Sequence, residues 1–173
     1  MMFLISIANR IKKILLSPLQ YAKSIGVKIG NDCFIATKYF GSEPYLITIG
    51  DNVQITADVR FHTHGGAHVI RGIDPDFDVF GKIVIENGAY IGCSSQIMPG
   101  VTVGENSLVA AGSIVTKSVP KGVVVGGNPA KIICTVKEYY ERNKPFDIGT
   151  KRLNPRLKAD VLKGMSPDKF LIK

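Results

Sequence analysis

The sequence contains no tryptophan, few aromatic residues and only three cysteines, none of them in a paired motif. Of its 173 residues 8% are aromatic, and the cysteines are Cys33, Cys93 and Cys134. An odd number of widely spaced cysteines argues against a disulfide framework or a zinc knuckle and predicts a reducing, cytoplasmic compartment. Because 45% of the residues are hydrophobic and 21% charged, we expect one packed domain rather than a disordered chain.

Long apolar runs are also absent, so we predict no membrane-spanning helix. Acidic residues are missing from residues 1–28, which carry five basic ones. Apolar side chains there follow helical spacing, with basic residues on the other side: Phe3, Leu4, Ile7, Ile11, Ile14 and Leu15 against Arg10, Lys12 and Lys13. The pattern predicts an amphipathic helix within residues 1–26 that caps the domain, or alternatively lies on the inner face of a membrane.

Positive charge is concentrated at the two ends of the chain. Residues 137–173 hold ten basic and five acidic residues and form a basic C-terminal extension, whereas residues 27–136 are close to neutral. A nucleic-acid-binding protein usually carries positive charge on its folded body. We therefore expect no nucleic-acid partner.

The middle of the chain is a six-residue repeat. Aliphatic residues recur without a break, and a small or β-branched residue follows each of them four places later. Neither a helix nor an alternating strand produces this spacing. The first column is Ile85, Ile91, Ile97, Val103, Val109 and Val115, and the second is Ala89, Ser95, Val101, Ser107, Ser113 and Val119.

The same register extends towards the N-terminus, through Ile29 and Ile35 and then Ile49, Ile55 and Phe61. Two extra residues are expected near 38–46, and an excursion loop over residues 62–78, after which Val79 should resume the register. The pattern is expected to stop at Pro120. A six-residue unit fits one short strand plus one corner, so three units form a triangular coil that pairs with the coils above and below.

These runs, above all IENGAYIGCSSQIMPGVTVGENSLVAAGSIVTKSVPKGVVVGGNPAKII, resemble the hexapeptide-repeat acyltransferases, especially galactoside, maltose and polysaccharide O-acetyltransferases. The resemblance covers residues 27–136. It implies a mainly β fold, a left-handed parallel β-helix with a short N-terminal helix and a C-terminal tail. It also implies a homotrimer with active sites between subunits, acetyl-CoA as co-substrate and no required metal.

The resemblance further implies a general base, His64, in the stretch FHTHGG. Strand alternation alone does not separate His64 from His62. The implied acceptor contacts are Thr37, Glu43, His62, His68 and Arg71. The implied coenzyme A contacts are Cys93, which replaces a family serine, together with Ala111, Thr116, Lys117, Pro120, Gly127 and Lys131.

The sequence therefore predicts an acetyl-CoA-dependent O-acetyltransferase that acts on a hydroxyl of a carbohydrate, such as a surface polysaccharide or its precursor. An N-acetyltransferase of an amino sugar is one alternative. A second is a metal-dependent protein resembling the gamma-class carbonic anhydrases, in which His62, His64 and His68 would bind the metal.

Overall fold

The computed structural model describes residues 10–171. Most of its strands are two or three residues long and alternate with tight corners. The strands are β1 (Lys28–Ile29), β2 (Phe34–Ile35), β3 (Ile47–Ile49), β4 (Gln54–Ile55), β5 (Arg60–Phe61), β6 (Ile83–Ile85), β7 (Tyr90–Ile91), β8 (Gln96–Ile97), β9 (Thr102–Val103), β10 (Leu108–Val109), β11 (Ile114–Val115), β12 (Val123–Gly127) and β13 (Ala130–Thr135).

These strands stack into three parallel sheets, and each complete coil contributes one strand to each sheet. Sheet A has the order β1-β3-β6-β9, sheet B the order β2-β4-β7-β10-β12, and sheet C the order β5-β8-β11. Strand β13 is the exception, since it turns back and pairs antiparallel with β12 at the end of sheet B. The chain is a three-sided parallel β-helix.

The repeat explains the core. All six aliphatic residues of the first column are buried, and so are all six residues of the second column. The buried serines of the second column are also satisfied. Ser95 donates to the carbonyl of Ala110 at 2.9 Å, and Ser107 donates to that of Pro120 at 2.6 Å. Small polar residues at the corners thus tie one coil to the next without an unpaired buried group.

Two interruptions of the coil lie where the sequence predicted them, but the residue at which the register resumes was predicted wrongly. Residues 38–46 leave the regular coil through an isolated bridge from Tyr39 to Arg60 and a 3-10 turn at Pro44–Leu46. The excursion loop carries a short helix, α3 (Ala67–Ile70). Val79 does not resume the register: it is 52% exposed, and the buried pattern restarts at Ile83 and Ile85.

The coil itself continues beyond Pro120, because Val125 is buried and pairs with Val109 in sheet B. The hexapeptide spacing breaks at this point, since Val119 bridges to Val103 in sheet A. The antiparallel β13 then covers the outer edge of β12, which would otherwise offer unpaired backbone groups.

At the other end, helical residues 10–15 (α1) precede α2 (Pro18–Ser24). Ser17 and Gln20 form a capping box that starts α2. Ala22 of α2 is fully buried and belongs to the core, so α2 packs as the cap. The apolar residues predicted to form the capping face of the first helix are exposed (Ile11, Ile14 and Leu15), and Phe3, Leu4 and Ile7 lie outside the described residues.

The described residues divide after Val136 into two compact units. Helix α4 (Val136–Asn143) leads into the second unit, which contains α5 (Pro155–Lys163) and 3-10 turns at Lys144–Phe146, Thr150–Arg152 and Pro167–Lys169. Asn154 caps α5 by accepting from the Leu157 amide at 2.9 Å. Over residues 10–171, no helix has the length and apolar character needed to cross a bilayer.

Candidate active site

His64 stands just after sheet C, where the excursion loop leaves the coil, and its ring is hydrogen-bonded to Glu43. His64 Nδ1 lies 2.7 Å from Glu43 Oε2, and the hydroxyl of the buried Thr63 donates to the same carboxylate oxygen at 2.5 Å. An ionised carboxylate only accepts hydrogen bonds. The proton of neutral His64 is therefore held on Nδ1, which leaves the Nε2 lone pair available.

The surroundings of Glu43 favour its charged form. Burial raises the pKa of Glu43, but the hydrogen bonds from Thr63 and His64 and the charge of His64 lower it by more. The pKa of Glu43 therefore lies below the usual value of a glutamate. A carboxylate that stays ionised can orient the imidazole and stabilise the imidazolium that forms when His64 accepts a proton.

A cavity of about 340 Å³ opens beside this pair. Phe80 packs edge-on against the His64 ring at 5.6 Å between centroids. Arg71 faces Asp78 at 3.6 Å and donates to the Phe77 carbonyl at 3.2 Å, so the loop holds its guanidinium in place. The lining residues are Glu43, His64, Gly65, Gly66, Ala67, His68, Arg71, Asp78 and Phe80.

Four of the sequence-predicted residues therefore lie together: His64, Glu43, His68 and Arg71. The other two predicted acceptor residues lie elsewhere. Thr37 is 2% exposed, and its hydroxyl donates to the Val59 carbonyl at 2.7 Å, so it supports the coil rather than lining the cavity. His62 lines a different cleft, where its Nε2 is 3.0 Å from Gln96 Oε1.

Sequence reasoning missed Thr63 and Phe80. Thr63 had a signal, because it alternates with His62 and His64 and should therefore face inward. Phe80 had none, because its position depends on where the excursion loop returns. That return is an isolated antiparallel bridge between His64 and Phe80.

The predicted coenzyme A residues lie on different edges of the three-sided β-helix. The strand register stacks Thr37, Cys93, Ala111 and Gly127 along the edge between sheets B and C, which we call the B–C edge. The register stacks His62, Met98 and Thr116 along the edge between sheets C and A, the C–A edge.

Lys117 follows Thr116 on the C–A edge, and Lys131 pairs with Gly126 beside the B–C edge. Pro120 follows Val119, which pairs into sheet A. All seven predicted coenzyme A residues are exposed. Within one copy, the full width of sheet C separates the B–C edge from the C–A edge, where His64 lies.

The three histidines do not converge. His62 faces Gln96 in one cleft, whereas His64 and His68 line another. Among residues 10–171, no group of three or more histidine, cysteine, aspartate or glutamate side chains is arranged to hold a metal ion. The three cysteines are free thiols.

Comparison with known proteins identifies the family. Residues 82–117 match the bacterial transferase hexapeptide (six repeats) model. Protein CapG from Staphylococcus aureus is 48% identical over 136 residues, which cover 76% of this chain and 79% of CapG. The chain belongs to the bacterial transferase hexapeptide family. This hexapeptide transferase is an acyltransferase.

Other relatives are consistent with this. The galactoside O-acetyltransferase of Escherichia coli K12 is 34% identical over 131 residues, 75% of this chain and 62% of that enzyme. Among solved structures, a galactoside acetyltransferase in complex with coenzyme A superposes with a TM-score of 0.60 and 23% identity, covering 80% of this chain and 82% of that one.

A hexapeptide-repeat-containing acetyltransferase from Vibrio cholerae gives a TM-score of 0.60 and 24% identity over 74% of this chain and 86% of the other. At such identities these two structures show the fold alone. The fold of this hexapeptide transferase is the left-handed parallel β-helix, as the family resemblance implied.

Proposed function

We propose that this hexapeptide transferase moves the acetyl group of acetyl-CoA onto a hydroxyl of a carbohydrate, with His64 as general base. The observation that carries the proposal is the Glu43–His64 pair at the wall of an open cavity, with Nδ1 held by a carboxylate at 2.7 Å and Nε2 left free. The galactoside O-acetyltransferase among its relatives supports a carbohydrate acceptor.

A sugar hydroxyl is a poor nucleophile at neutral pH because it holds its proton tightly. His64 Nε2 would take that proton as the oxygen attacks the thioester carbonyl, and the resulting imidazolium would return it to the departing thiolate. The Glu43 carboxylate would stabilise the imidazolium through Nδ1–H. Direct transfer needs no covalent enzyme intermediate, since both substrates are held together.

Acetyl-CoA is the co-substrate, and the exposed residues of the B–C edge are candidates to bind it. Because the B–C edge and the C–A edge of one copy lie on opposite sides of sheet C, a site that uses both edges is more easily completed by two copies. This supports a homotrimer in which His64 of one copy meets the coenzyme A edge of the next.

The test combines cofactor binding with turnover. Calorimetry should show that wild type and His64→Ala bind acetyl-CoA with similar affinity, while acceptor-dependent thiol release falls by about 10²–10⁴-fold in His64→Ala. His68→Asn separates loss of the base from loss of an acceptor contact. It changes a histidine of the same cavity that was expected to contact the acceptor, so its effect should fall on KM, and kcat should stay within about threefold.

Absence of acetyl-CoA binding to wild type would overturn the proposal, and so would full activity of His64→Ala. The acceptor panel separates the two transfer chemistries. Acetylation of sugars that carry only hydroxyl groups supports O-transfer. Acetylation confined to amino sugars would replace it with N-transfer.

A further inference from the structure

A second cleft, which we call the cationic cleft, opens beside sheet C and has a volume of about 250 Å³. Its base is formed by Phe40 and Phe61, which are both buried and stacked at 5.4 Å between ring centroids. Its wall carries Tyr39 and four basic side chains: Lys13, Lys38, Arg60 and His62.

The basic groups meet around one aromatic ring. Lys13 Nζ lies 4.6 Å and Arg60 Cζ 4.8 Å from the centre of the Tyr39 ring. Lys38 Nζ donates to the backbone carbonyl of Lys13 at 2.6 Å, and Lys38 contributes a third permanent charge to the lining of the same cleft. The electron-rich ring face attracts cations and so helps to hold them near one another.

None of the described residues that line the cationic cleft is acidic. The surrounding body, residues 29–136, carries seven basic and nine acidic residues and is therefore slightly negative as a whole. Two like charges at one ring and a third in the same cleft repel each other, and an anion in the cleft would relieve that repulsion.

The cationic cleft lies next to the active-site cavity. Gly41 lines the cleft and Glu43 lines the cavity. In the same way, His62 lines the cleft and His64 lines the cavity. The Cα atoms of residues two positions apart are separated by no more than about 7 Å. A single acceptor molecule can therefore reach both, with one group in the cleft and a hydroxyl beside His64.

We propose that the cationic cleft binds a phosphate or carboxylate group of the acceptor, so that the carbohydrate acetylated by this enzyme is anionic. The identification of the ligand as the acceptor rests on the proposed function; the existence of an anion site does not. The planar guanidinium of Arg60 suits both groups, because it can donate two parallel hydrogen bonds to two oxygens of one anion.

The first experiment tests the site without any turnover. Inorganic phosphate is titrated by NMR or calorimetry into the full chain saturated with coenzyme A, so that the phosphate sites of the cofactor are already filled. Wild type should bind phosphate saturably, and Arg60→Gln should weaken it about tenfold. Lys28→Gln, which removes one positive charge from an exposed position in sheet A, should leave it unchanged.

Arg60→Lys distinguishes charge from geometry and should restore part of the affinity. Lack of saturable phosphate binding to the wild-type complex would overturn the anion site. Equal weakening in Lys28→Gln and Arg60→Gln would overturn it as well, because it would show a general effect of net charge.

The second experiment asks whether the anion belongs to the acceptor. Thiol release is measured with three sugars that share one ring: galactose, galactose 6-phosphate and galacturonate. We expect a KM at least tenfold lower for one or both charged sugars, and Arg60→Gln should remove that advantage while leaving galactose unaffected. The charged sugar that is preferred identifies the anion as phosphate or carboxylate.

The two failures can be told apart. If phosphate binding depends on Arg60 but neutral and charged sugars are used equally well, the anion site stands. The proposal that the acceptor is anionic is then overturned. Turnover that does not depend on His64 overturns the proposed function and leaves the result of the phosphate titration standing.

Discussion

At the scale of single residues, the proposed chemistry depends on which nitrogen of His64 carries the proton. Glu43 decides this, because its carboxylate sits 2.7 Å from Nδ1 and can only accept. Thr63 decides in turn where the carboxylate points, through its own hydrogen bond to Oε2. Glu43 is therefore a positioning residue in the proposed mechanism, and its effect reaches the substrate through His64.

The substitution Glu43→Gln tests this role. The amide can still accept from Nδ1 but carries no charge, so the imidazolium loses its stabilising partner. We expect kcat to fall by about 10–100-fold with the KM for the acceptor within about threefold. Steady-state thiol-release kinetics measure both constants.

The sequence resemblance implied a different role for Glu43, as a contact to the acceptor. That role makes the opposite prediction, since loss of a binding contact raises KM and leaves kcat nearly intact.

A second prediction at this scale concerns stability and pH. The folded-state pKa of Glu43 is lowered, so the carboxylate stabilises the folded state fully above the pKa of an unfolded glutamate, about 4.3. This contribution is lost as the pH falls through the lower, folded-state pKa. In wild type, the free energy of unfolding should therefore drop over this acidic range by somewhat more than in Glu43→Gln.

The difference should be less than about 1 kcal/mol, because the pair is partly open to solvent. Urea unfolding at pH 6 and at pH 3.5 measures it, at one protein concentration for all samples. Glu141→Gln, an exposed glutamate of the second unit, is the control for loss of one carboxylate. Parallel pH curves for wild type and Glu43→Gln would contradict the prediction.

The sequence indicated the proposed base, His64, but not the hydrogen bond that joins it to Glu43. The stretch FHTHGG stands directly before the excursion loop, where a rigid coil ends and function concentrates. Glu43 lies in the irregular insertion at 38–46, and no periodic pattern predicts which way a side chain points there. The side-chain direction of Thr37 was also not predictable from the sequence. The resemblance implied an acceptor contact, whereas in the structure the Thr37 hydroxyl donates to the Val59 carbonyl.

At the scale of elements, the coil is held by backbone pairing between neighbouring turns rather than by long strands. Stacked coils must approach closely at the corners. Gly92 shows the requirement: a Cβ placed there would lie 2.5 Å from the Ala111 amide nitrogen and 2.7 Å from the Val109 carbonyl oxygen. The Gly92 amide itself donates to that Val109 carbonyl at 2.8 Å.

Gly92→Ala should therefore destabilise the protein by about 1–3 kcal/mol, because the methyl group would push the backbone of the next coil away. Gly72→Ala is the matched control. It makes the same change in the excursion loop, where the nearest atom to a new Cβ is the Val69 carbonyl oxygen at 3.6 Å. Chemical denaturation of both variants measures the two free energies of unfolding.

Gly72→Ala should be neutral or slightly stabilising, since alanine restricts the unfolded chain. Equal destabilisation by both substitutions would contradict the role assigned to close coil stacking.

The coil could be predicted from the sequence because each six-residue unit meets the same environment. Ile91 and Val109 face the same core, so the pattern repeats wherever the stacking repeats. The excursion loop has no such repetition. Its expected end at Val79 was wrong because the chain returns through the bridge between His64 and Phe80, and that contact depends on the loop alone.

At the scale of the whole molecule, the separation of the two edges bears on how the site is assembled. Ala111 on the B–C edge and His64 near the C–A edge flank sheet C on opposite sides. Closed cyclic assembly brings one edge of a copy against a different edge of its neighbour, because a heterologous interface joins unlike surfaces. A trimer would then build each site from two copies.

Complementation between two inactive variants tests this arrangement. His64→Ala removes the base, and Ala111→Arg would block the B–C edge with a long side chain at an exposed position. Neither homotrimer should release thiol at a measurable rate. If each site takes His64 from one copy and the B–C edge from the next, random mixing of equal amounts leaves about a quarter of the sites with both parts intact.

The mixture, made by co-expression or by unfolding and refolding together, should therefore recover about a quarter of wild-type activity. The two variants mixed without refolding are the control, and they should stay inactive as long as subunits do not exchange. A refolded mixture as inactive as its parents, with mixed trimers demonstrated by mass spectrometry, would place both parts of the site on one copy. The acetyl group would then have to reach His64 across the face of sheet C.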